Sequence, residues 1–310
     1  MRRLDNIDIR LLRVFMTLVE AGSFADAQIA LNLSQPTLST HLAALERKLG
    51  APLCVRGRRG FRLTAFGEAT YVATQKLFAE ISSFEERVGQ YNGQLVGRLR
   101  IGIVDGIVTN SALGLQHVVG RFMENAENVY IDLELGTPHY LEQAIADGRR
   151  DVVIGPFSQK APGVTYVALH SEPHGLYCGK GHPLFDAPTS AITREAIGKA
   201  QFSVRGYRQF DDLYRADHPR ATGQVVQMEG QVMLILSGYF IGFLPRHIAE
   251  SWSKQGLMRE LRPQMYQFVS SHFAAYRKSD GDRPLVRSFV RFLSQHANQT
   301  RRGGGAGKAA

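Results

Sequence analysis

Ser23-Phe-Ala-Asp-Ala-Gln-Ile-Ala-Leu31, Asn32-Leu33 and Ser34-Gln-Pro-Thr-Leu-Ser-Thr-His41 follow one another near the start of the chain and read as helix, turn and helix. Ser23 and Asp26 have capping-box spacing, so their side chains can satisfy free amides in a first turn. Asn32 tolerates the left-handed conformation that ends a helix. Ser34 can cap the next helix, with Pro36 in its first turn, where no amide hydrogen bond is lost. Leu38, Leu42, Leu45 and Leu49 then recur at helical spacing and predict one buried stripe. That stripe turns Gln35, Thr37, Thr40 and His41 away from the core. With Ser34, Pro36 and Ser39 they are the candidates for base edges and phosphates of duplex DNA. Downstream, Arg56-Gly-Arg-Arg-Gly-Phe-Arg62 is a basic hairpin. Its Arg56, Arg58, Arg59 and Arg62 are expected near phosphates or the minor groove. The leucine stripe alone fits any three-helix scaffold; the basic wing favours a winged helix-turn-helix, whose second helix suits the major groove. Upstream, Leu11, Phe15, Leu18 and Val19 supply a first helix with its own apolar face.

The charge distribution supports the same reading. The 310 residues carry a formal net charge of +9. Residues 1–64 hold ten Lys/Arg against five Asp/Glu, and Arg301, Arg302 and Lys308 add to the far end, so the large middle is nearly neutral. The positive charge is concentrated where the helix-turn-helix lies. No signal-peptide-type run and no membrane-spanning stretch is expected, and the cysteines, Cys54 and Cys178, read as reduced thiols. A cytoplasmic location follows as the expectation. The chain is long enough for two or three domains.

After Thr64 a helical pattern reaches about Asn92. Leu77, Ile81, Phe84, Val88 and Tyr91 alternate steps of four and three, the spacing of a coiled-coil seam, and predict a dimerising linker. From Leu99 the pattern changes to short apolar strands (Leu99–Val104, Val129–Leu135, Val152–Gly155) separated by helices at about Ser111–Asn125 and Tyr140–Asp147. That series implies a parallel sheet. Val164–Leu169 and Leu176–Cys178 lead to a second set: Gln201–Val204, a helix near Phe210–Ala216, Val225–Gln227, a helix near Gln231–Leu236, and Ile241–Leu244. His272–Tyr276 and a closing helix, Pro284–His296, return to the first lobe. Two α/β lobes with a cleft between them place a ligand beyond the carboxyl ends of the strands.

With these residues in view the chain resembles a LysR-type transcriptional regulator. The resemblance is carried by Phe15, Gly22-Ser23-Phe24, Leu33-Ser34-Gln35-Pro36-Thr37-Leu38-Ser39, Leu45-Glu46, Leu49-Gly50-Ala51-Pro52-Leu53, Arg56, Leu63-Thr64 and Gly67. A looser match continues through Leu99-Arg100-Ile101-Gly102, Gly148-Arg149-Arg150-Asp151, His182-Pro183-Leu184 and Gly242-Phe243-Leu244-Pro245. It implies a multidomain α/β chain: an all-α winged helix-turn-helix over 7–64 (the helix-turn-helix itself at about 24–43), a linker helix over 65–94, and an effector-binding half over 95–298 resembling periplasmic binding proteins. In that half, lobe I would span about 95–168 and 270–298, lobe II about 169–269, with a disordered tail over 299–310. It also implies double-stranded promoter DNA and a small-molecule effector as partners, a dimer through the linker helix within a homotetramer, and contact with RNA polymerase. Three positions depart from the family pattern: Gln28 stands for an alanine, Cys54 for a phenylalanine, and Thr40 for a frequent arginine.

Candidates for the effector cleft are Asp105, Gly106 and Thr109 after the first strand, Thr137 after the second, Arg205 and Tyr207 in the second lobe, and Met228 and Glu229 after the next strand. Thr137 is chosen partly because it matches a threonine that contacts effectors in some relatives. His170, His174, Cys178 and His182 recur every four residues, but glycines and prolines interrupt them, so no helical metal face forms and no metal or cofactor is expected. A redox sensor would need two thiols in the effector half, which holds only Cys178. A cytosolic solute-binding module without DNA-directed activity is the competing reading, opposed by the basic first 64 residues. An enzyme is not expected: there is no P-loop, no dinucleotide fingerprint and no assignable catalytic triad.

Overall fold

The computed structural model describes residues 6–57, 60–91, 94–158 and 160–305, and the chain divides into two compact units, Met1–Glu85 and Glu86–Ala310. The first unit holds α1 (Asn6–Ala21), α2 (Phe24–Leu31), α3 (Gln35–Leu49), the hairpin of β1 (Cys54–Gly57) and β2 (Gly60–Leu63), and most of α4 (Ala65–Tyr91). Its boundaries follow the local signals. The Ser23 hydroxyl accepts the amide of Asp26 at 3.1 Å and donates to its carboxylate at 2.6 Å. Asn32 closes α2 at φ 50°, and Gly50 closes α3 at φ 88°. Phe15, Leu18, Leu38, Leu42, Leu45 and Leu53 are fully buried together. Each such side chain contributes about 1.5–3 kcal/mol relative to exposure. Leu49, the last of the stripe, is only half-buried because the helix ends beside it. Two of the family departures are accommodated locally: the Gln28 amide donates to the Phe24 carbonyl at 3.2 Å, and Cys54 is buried in the core.

The Thr64 hydroxyl accepts the amide of Gly67 at 2.9 Å, starting α4 as the sequence suggested. A Cβ at Gly67 would stand 1.9 Å from the Leu53 carbonyl oxygen, so only glycine lets α4 pass the end of the recognition unit so closely. Along α4, Leu77 packs against the first unit's core, whereas Phe84 is 67% and Tyr91 94% exposed. The outer part of the seam is therefore bare.

The second unit is built on one nine-stranded sheet. Its elements are β3 (Val96–Ile103), α5 (Leu115–Met123), β4 (Asn128–Leu135), α6 (Pro138–Ala146), β5 (Val152–Gly155), β6 (Val164–Gly179), α7 (Arg194–Lys199), β7 (Gln201–Arg205), α8 (Gln209–Ala216), β8 (Gly223–Val225), α9 (Met228–Leu236), β9 (Phe240–Pro245), α10 (Arg246–Lys254), β10 (Met258–Glu260), β11 (Gln267–Arg277) and α11 (Pro284–Gly305). The strand order is β4-β3-β5-β11-β6-β9-β7-β8, with β10 on β6. β3 pairs in parallel with β4 and β5, and β7 with β8 and β9. The antiparallel pair β6 and β11 joins these two sets. One core gathers Leu99, Ile101, Phe122, Ile154 and Phe289, and a second gathers Leu176, Phe202, Ile241 and Phe243.

Several expectations need correction. Val164–Leu169 and Leu176–Cys178 are one strand, β6. The polar run Ser171-Glu-Pro-His174 hid its continuity. Pro173 is tolerated because β9 begins pairing only at His174, leaving β6 without a second neighbour there. The strand expected at Val225–Gln227 ends at Val225, and α9 opens three residues later, absorbing Met228 and Glu229. The helix expected from Ser111 starts at Leu115, because Gly114 is left-handed at φ 51°. The closing helix runs past His296 to Gly305, so the expected tail at 299–310 begins as helix. Continuing a nucleated helix fixes one residue per hydrogen bond, which offsets its poor composition. Residues 306–310 lie outside the described residues. α7, α10 and β10 were not foreseen. Among the described residues no helix is long and apolar enough to cross a membrane.

One buried ion network lies within the second unit and holds Glu86, near the end of α4. The Arg283 guanidinium donates through Nη1 to Asp151 Oδ1 at 2.6 Å, and through Nε and Nη2 to the Glu86 carboxylate. Arg100 Nη2 donates to the same Asp151 oxygen at 2.7 Å. Glu86, Asp151 and Arg283 are all buried. Burial would raise the Asp151 carboxyl, but the Arg100 hydrogen bonds and charge, with Arg283, hold it below its usual value.

Candidate nucleic-acid interface and effector cavity

The recognition surface follows from how α3 is seated. With Leu38, Leu42 and Leu45 buried, Ser34, Gln35, Pro36 and Thr40 are exposed, and Thr37 and Ser39 are half-buried. Ser34 caps the helix, its oxygen 3.4 Å from the Thr37 amide and 2.8 Å from the Thr37 hydroxyl. The Thr40 hydroxyl donates to the Pro36 carbonyl at 2.9 Å and keeps its lone pairs outward. His41 departs from the expectation. It is half-buried, and its Nε2 is buried with no hydrogen-bond partner among the described residues, so only part of the ring can face a groove. In the wing, Arg62 is exposed opposite Val55, and Arg56 stands opposite Phe61. Arg58 and Arg59 lie outside the described residues. Sequence reasoning missed Arg47, which is exposed in the same row as Pro36, Thr40 and Ala43. The steps of four, three and four from Pro36 would have found it.

Between the lobes lie two adjoining cavities. The larger, about 270 Å³, is lined by Glu134, Gly136, Thr137 and Tyr140 from one lobe and by Tyr207, Val226 and Gln227 from the other, with Asp105 at its edge. The smaller, about 10 Å³, has room for one water-sized group. It is lined by Asp105, Gly106, Glu172, His174, Arg205, Tyr207, Arg208, Met228 and His272 among others. Asp105 and Tyr207 line both. Asp105 accepts a hydrogen bond from the Met228 amide, so a lobe I carboxylate caps the N-terminus of the lobe II helix α9. A Cβ on Gly106 (φ 73°) would stand 2.7 Å from Ile248 Cδ1, which makes this crossing equally tight.

Glu172, on the crossing strand β6, gathers groups from both sides. Asn110 Nδ2 donates to Oε1 at 3.1 Å, and His247 Nε2 donates to the same atom at 2.8 Å. His247 Nδ1 lies 2.9 Å from the Thr109 hydroxyl. Burial would raise the Glu172 carboxyl, but the His247 hydrogen bond together with the charges of His272, His174 and His247 outweighs it and brings it to about 2. Burial pushes His174 well below its usual range, with Arg205 adding to the effect, and pushes His272 down as well.

Arg205 is the unusual member. It is 3% exposed, its Nε is 3.9 Å from Asp212 Oδ2, and neither Nε nor Nη2 has a hydrogen-bond partner among the described residues. Burial works against its charge, yet Tyr207, Asp212 and Glu172 keep it protonated. Each unmade bond on a buried polar group costs about 1–3 kcal/mol.

Of the expected effector residues, Asp105, Gly106, Thr137, Arg205, Tyr207 and Met228 line one or both cavities. Thr137 also caps α6, accepting the Tyr140 amide at 3.4 Å. Thr109 and Glu229 line neither. Thr109 engages His247, and Glu229, one residue beyond buried Met228, is rotated to the exposed side of α9. Glu172, His272, Arg208 and Glu134 were missed; Glu172 sits in a stretch of β6 too polar to be read as strand. The His170, His174, Cys178 and His182 series is not a metal centre. The first three lie along β6, spaced about 13 Å per four residues, and no group of metal-ligating side chains occurs among the described residues. Cys178 is fully buried, and burial pushes its thiol up to about 12, which disfavours the reactive thiolate.

Residues 9–68 match the bacterial regulatory helix-turn-helix family of LysR type, and residues 92–298 match the LysR substrate-binding domain. The chain is 35% identical over 91% of its length to the HTH-type transcriptional activator BauR of Pseudomonas aeruginosa, covering 92% of that protein. It is 33% identical over 79% of its length to the SDS degradation transcriptional activation protein of a Pseudomonas species, covering 76% of it. In fold it resembles a full-length OxyR variant from Pseudomonas aeruginosa (TM-score 0.66, 21% identity, 96% of each chain). It also resembles full-length CbnR in complex with its target DNA (TM-score 0.63, 20% identity, 93% of this chain and 99% of that one). These matches exclude both an enzyme and a bare solute-binding module. The chain belongs to the LysR family: it is a DNA-binding transcriptional regulator whose second part is a substrate-binding domain for an effector.

Proposed function

We propose that α3 enters the major groove of promoter DNA with Ser34, Gln35, Pro36, Thr37, Ser39, Thr40 and the open edge of His41, while Arg56, Arg58, Arg59 and Arg62 of the wing hold phosphates. The observation that carries this is the exposed polar head of α3, set opposite a fully buried leucine stripe and followed by a basic hairpin. Arg47, in the same exposed row, adds a phosphate contact. The working division is a head over 7–64, a linker over 65–94 and an effector half over 95–298. The bare Phe84, Val88 and Tyr91 of α4 support a dimer through the linker, and a tetramer of two such dimers follows family habit. The effector occupies the larger inter-lobe cavity, where it biases a pre-existing equilibrium between assemblies. A cytoplasmic regulator that meets RNA polymerase at the promoter completes the reading. The names of the two relatives support activation as its output.

Competition titrations of the full chain against operator variants test the docking. Gln35→Ala should lose about 1–3 kcal/mol of discrimination at one base pair. Arg62→Ala should weaken all sequences about equally. Unchanged base preference in the first variant would remove α3 from the groove.

A further inference from the structure

We infer that the effector is a small carboxylate bearing hydrogen-bond donors at its other end, with its carboxylate seated on Arg205. The inference rests on the inter-lobe cavity being the effector site and adds the chemical class. Nε and Nη2 form one lateral edge of the guanidinium plane, and both lack partners among the described residues while the side chain is almost fully buried. Two parallel N–H donors on one edge match the two oxygens of a carboxylate. Arg205 lines the small cavity, which shares Asp105 and Tyr207 with the larger one.

The alternative anion position is already taken. The α9 N-terminus receives the Asp105 carboxylate, so an incoming anion is directed to the guanidinium instead. Asp212, 3.9 Å from Nε and 3.4 Å from Arg208 Nε, balances only one of the two cations, and Glu172 is held by Asn110 and His247. The body of the ligand then lies past Tyr207 in the larger cavity. That cavity has no lysine or arginine in its lining, and its Glu134 is already held by Arg150 and Tyr140. The Asp105 carboxylate then favours a ligand body that donates, through hydroxyl or amino groups.

The test is calorimetric titration of the full chain with hydroxy acids and amino acids of two to six carbons, each beside its neutral amide. At least one acid should bind while its amide does not, a comparison that needs no variant. Arg205→Gln should weaken that acid roughly ten- to a hundredfold. Hydroxy acids and amino acids form separate arms, and binding in either arm supports the class. Equal binding of acid and amide, an Arg205→Gln variant that binds as tightly, or binding by none of the acids would overturn it. Thr137→Trp, which fills the larger cavity, separates this from the underlying reading. A neutral or cationic metabolite that binds the wild type but not Thr137→Trp leaves the cavity as the effector site and removes the carboxylate. A ligand indifferent to Thr137→Trp removes the cavity itself.

Discussion

The head and the effector half solve opposite problems. In the head, functional side chains lie on the outside of a helix whose ends are fixed by residues three or four positions away: Ser23 by Asp26, Ser34 by Thr37. In the effector half, the polar groups that matter are buried and held by partners far along the chain. Asp105 meets Met228, Glu172 meets His247, and Arg283 meets Glu86. Reading an outside partner needs exposed groups on a rigid frame. Sensing a small molecule needs buried charges that can exchange partners.

Removing a long-range partner should therefore cost most. Arg283→Ala leaves Glu86 buried without its cation and Asp151 with Arg100 alone, and should destabilise the effector half by about 3–5 kcal/mol in urea unfolding. A loss under 1 kcal/mol would mean that water compensates the pair and that the network is not structural. Acid should discriminate next. Glu172 has a folded value of about 2 against an ordinary value of 4.5, so its contribution is present above about 4.5 and lost as pH falls toward 2, about 3 kcal/mol in all. His174 and His272, lowered when folded, lose stability in the same direction from their unfolded value of 6.5 downward. Glu86, raised by burial, runs the other way. Thermal scans from pH 7 to 3 should show the effector half melting earlier as pH falls, and Glu172→Gln should flatten the lower limb. An acid profile identical in that variant would break the assignment.

Local changes in the head should cost less. Ser34→Ala removes a cap and should lower head stability by about 1 kcal/mol, read as a shift in its melting temperature. Promoter affinity should fall with it, because the same turn positions Gln35. The smallest effect expected is at Arg47. Arg47→Ala should leave the fold intact and reduce the slope of log affinity against log salt by about one unit. An unchanged slope would place the side chain off the DNA.

The same contrast decides what was legible. Both ends of α2 and the starts of α3 and α4 could be read from Ser23, Asn32, Ser34 and Thr64, because caps and left-handed turns are properties of a few adjacent residues. His41 was misjudged since helical spacing gives the direction of a side chain, not how far its ring folds back. In the effector half, Asp105, Arg205 and Tyr207 were found because strand ends are visible in sequence. Glu172 was not, because its stretch of β6 is polar and becomes strand only by pairing with β11; His272 opened an expected segment, but nothing local shows that it lines a cavity. Glu229 was misplaced by the start of α9: three extra residues of helix turned it outward.

The pairing of β6 with β11 slips between His272 and Phe273, so a bulge interrupts the ladder where the chain passes from one lobe to the other. Extra twist and bending concentrate at such a slip. The molecule thus carries a crease in an otherwise continuous sheet, and His272, which lines the small cavity, sits on the fold line. A group that fills that cavity therefore rests against the irregular stretch of the ladder and not against its regular pairing.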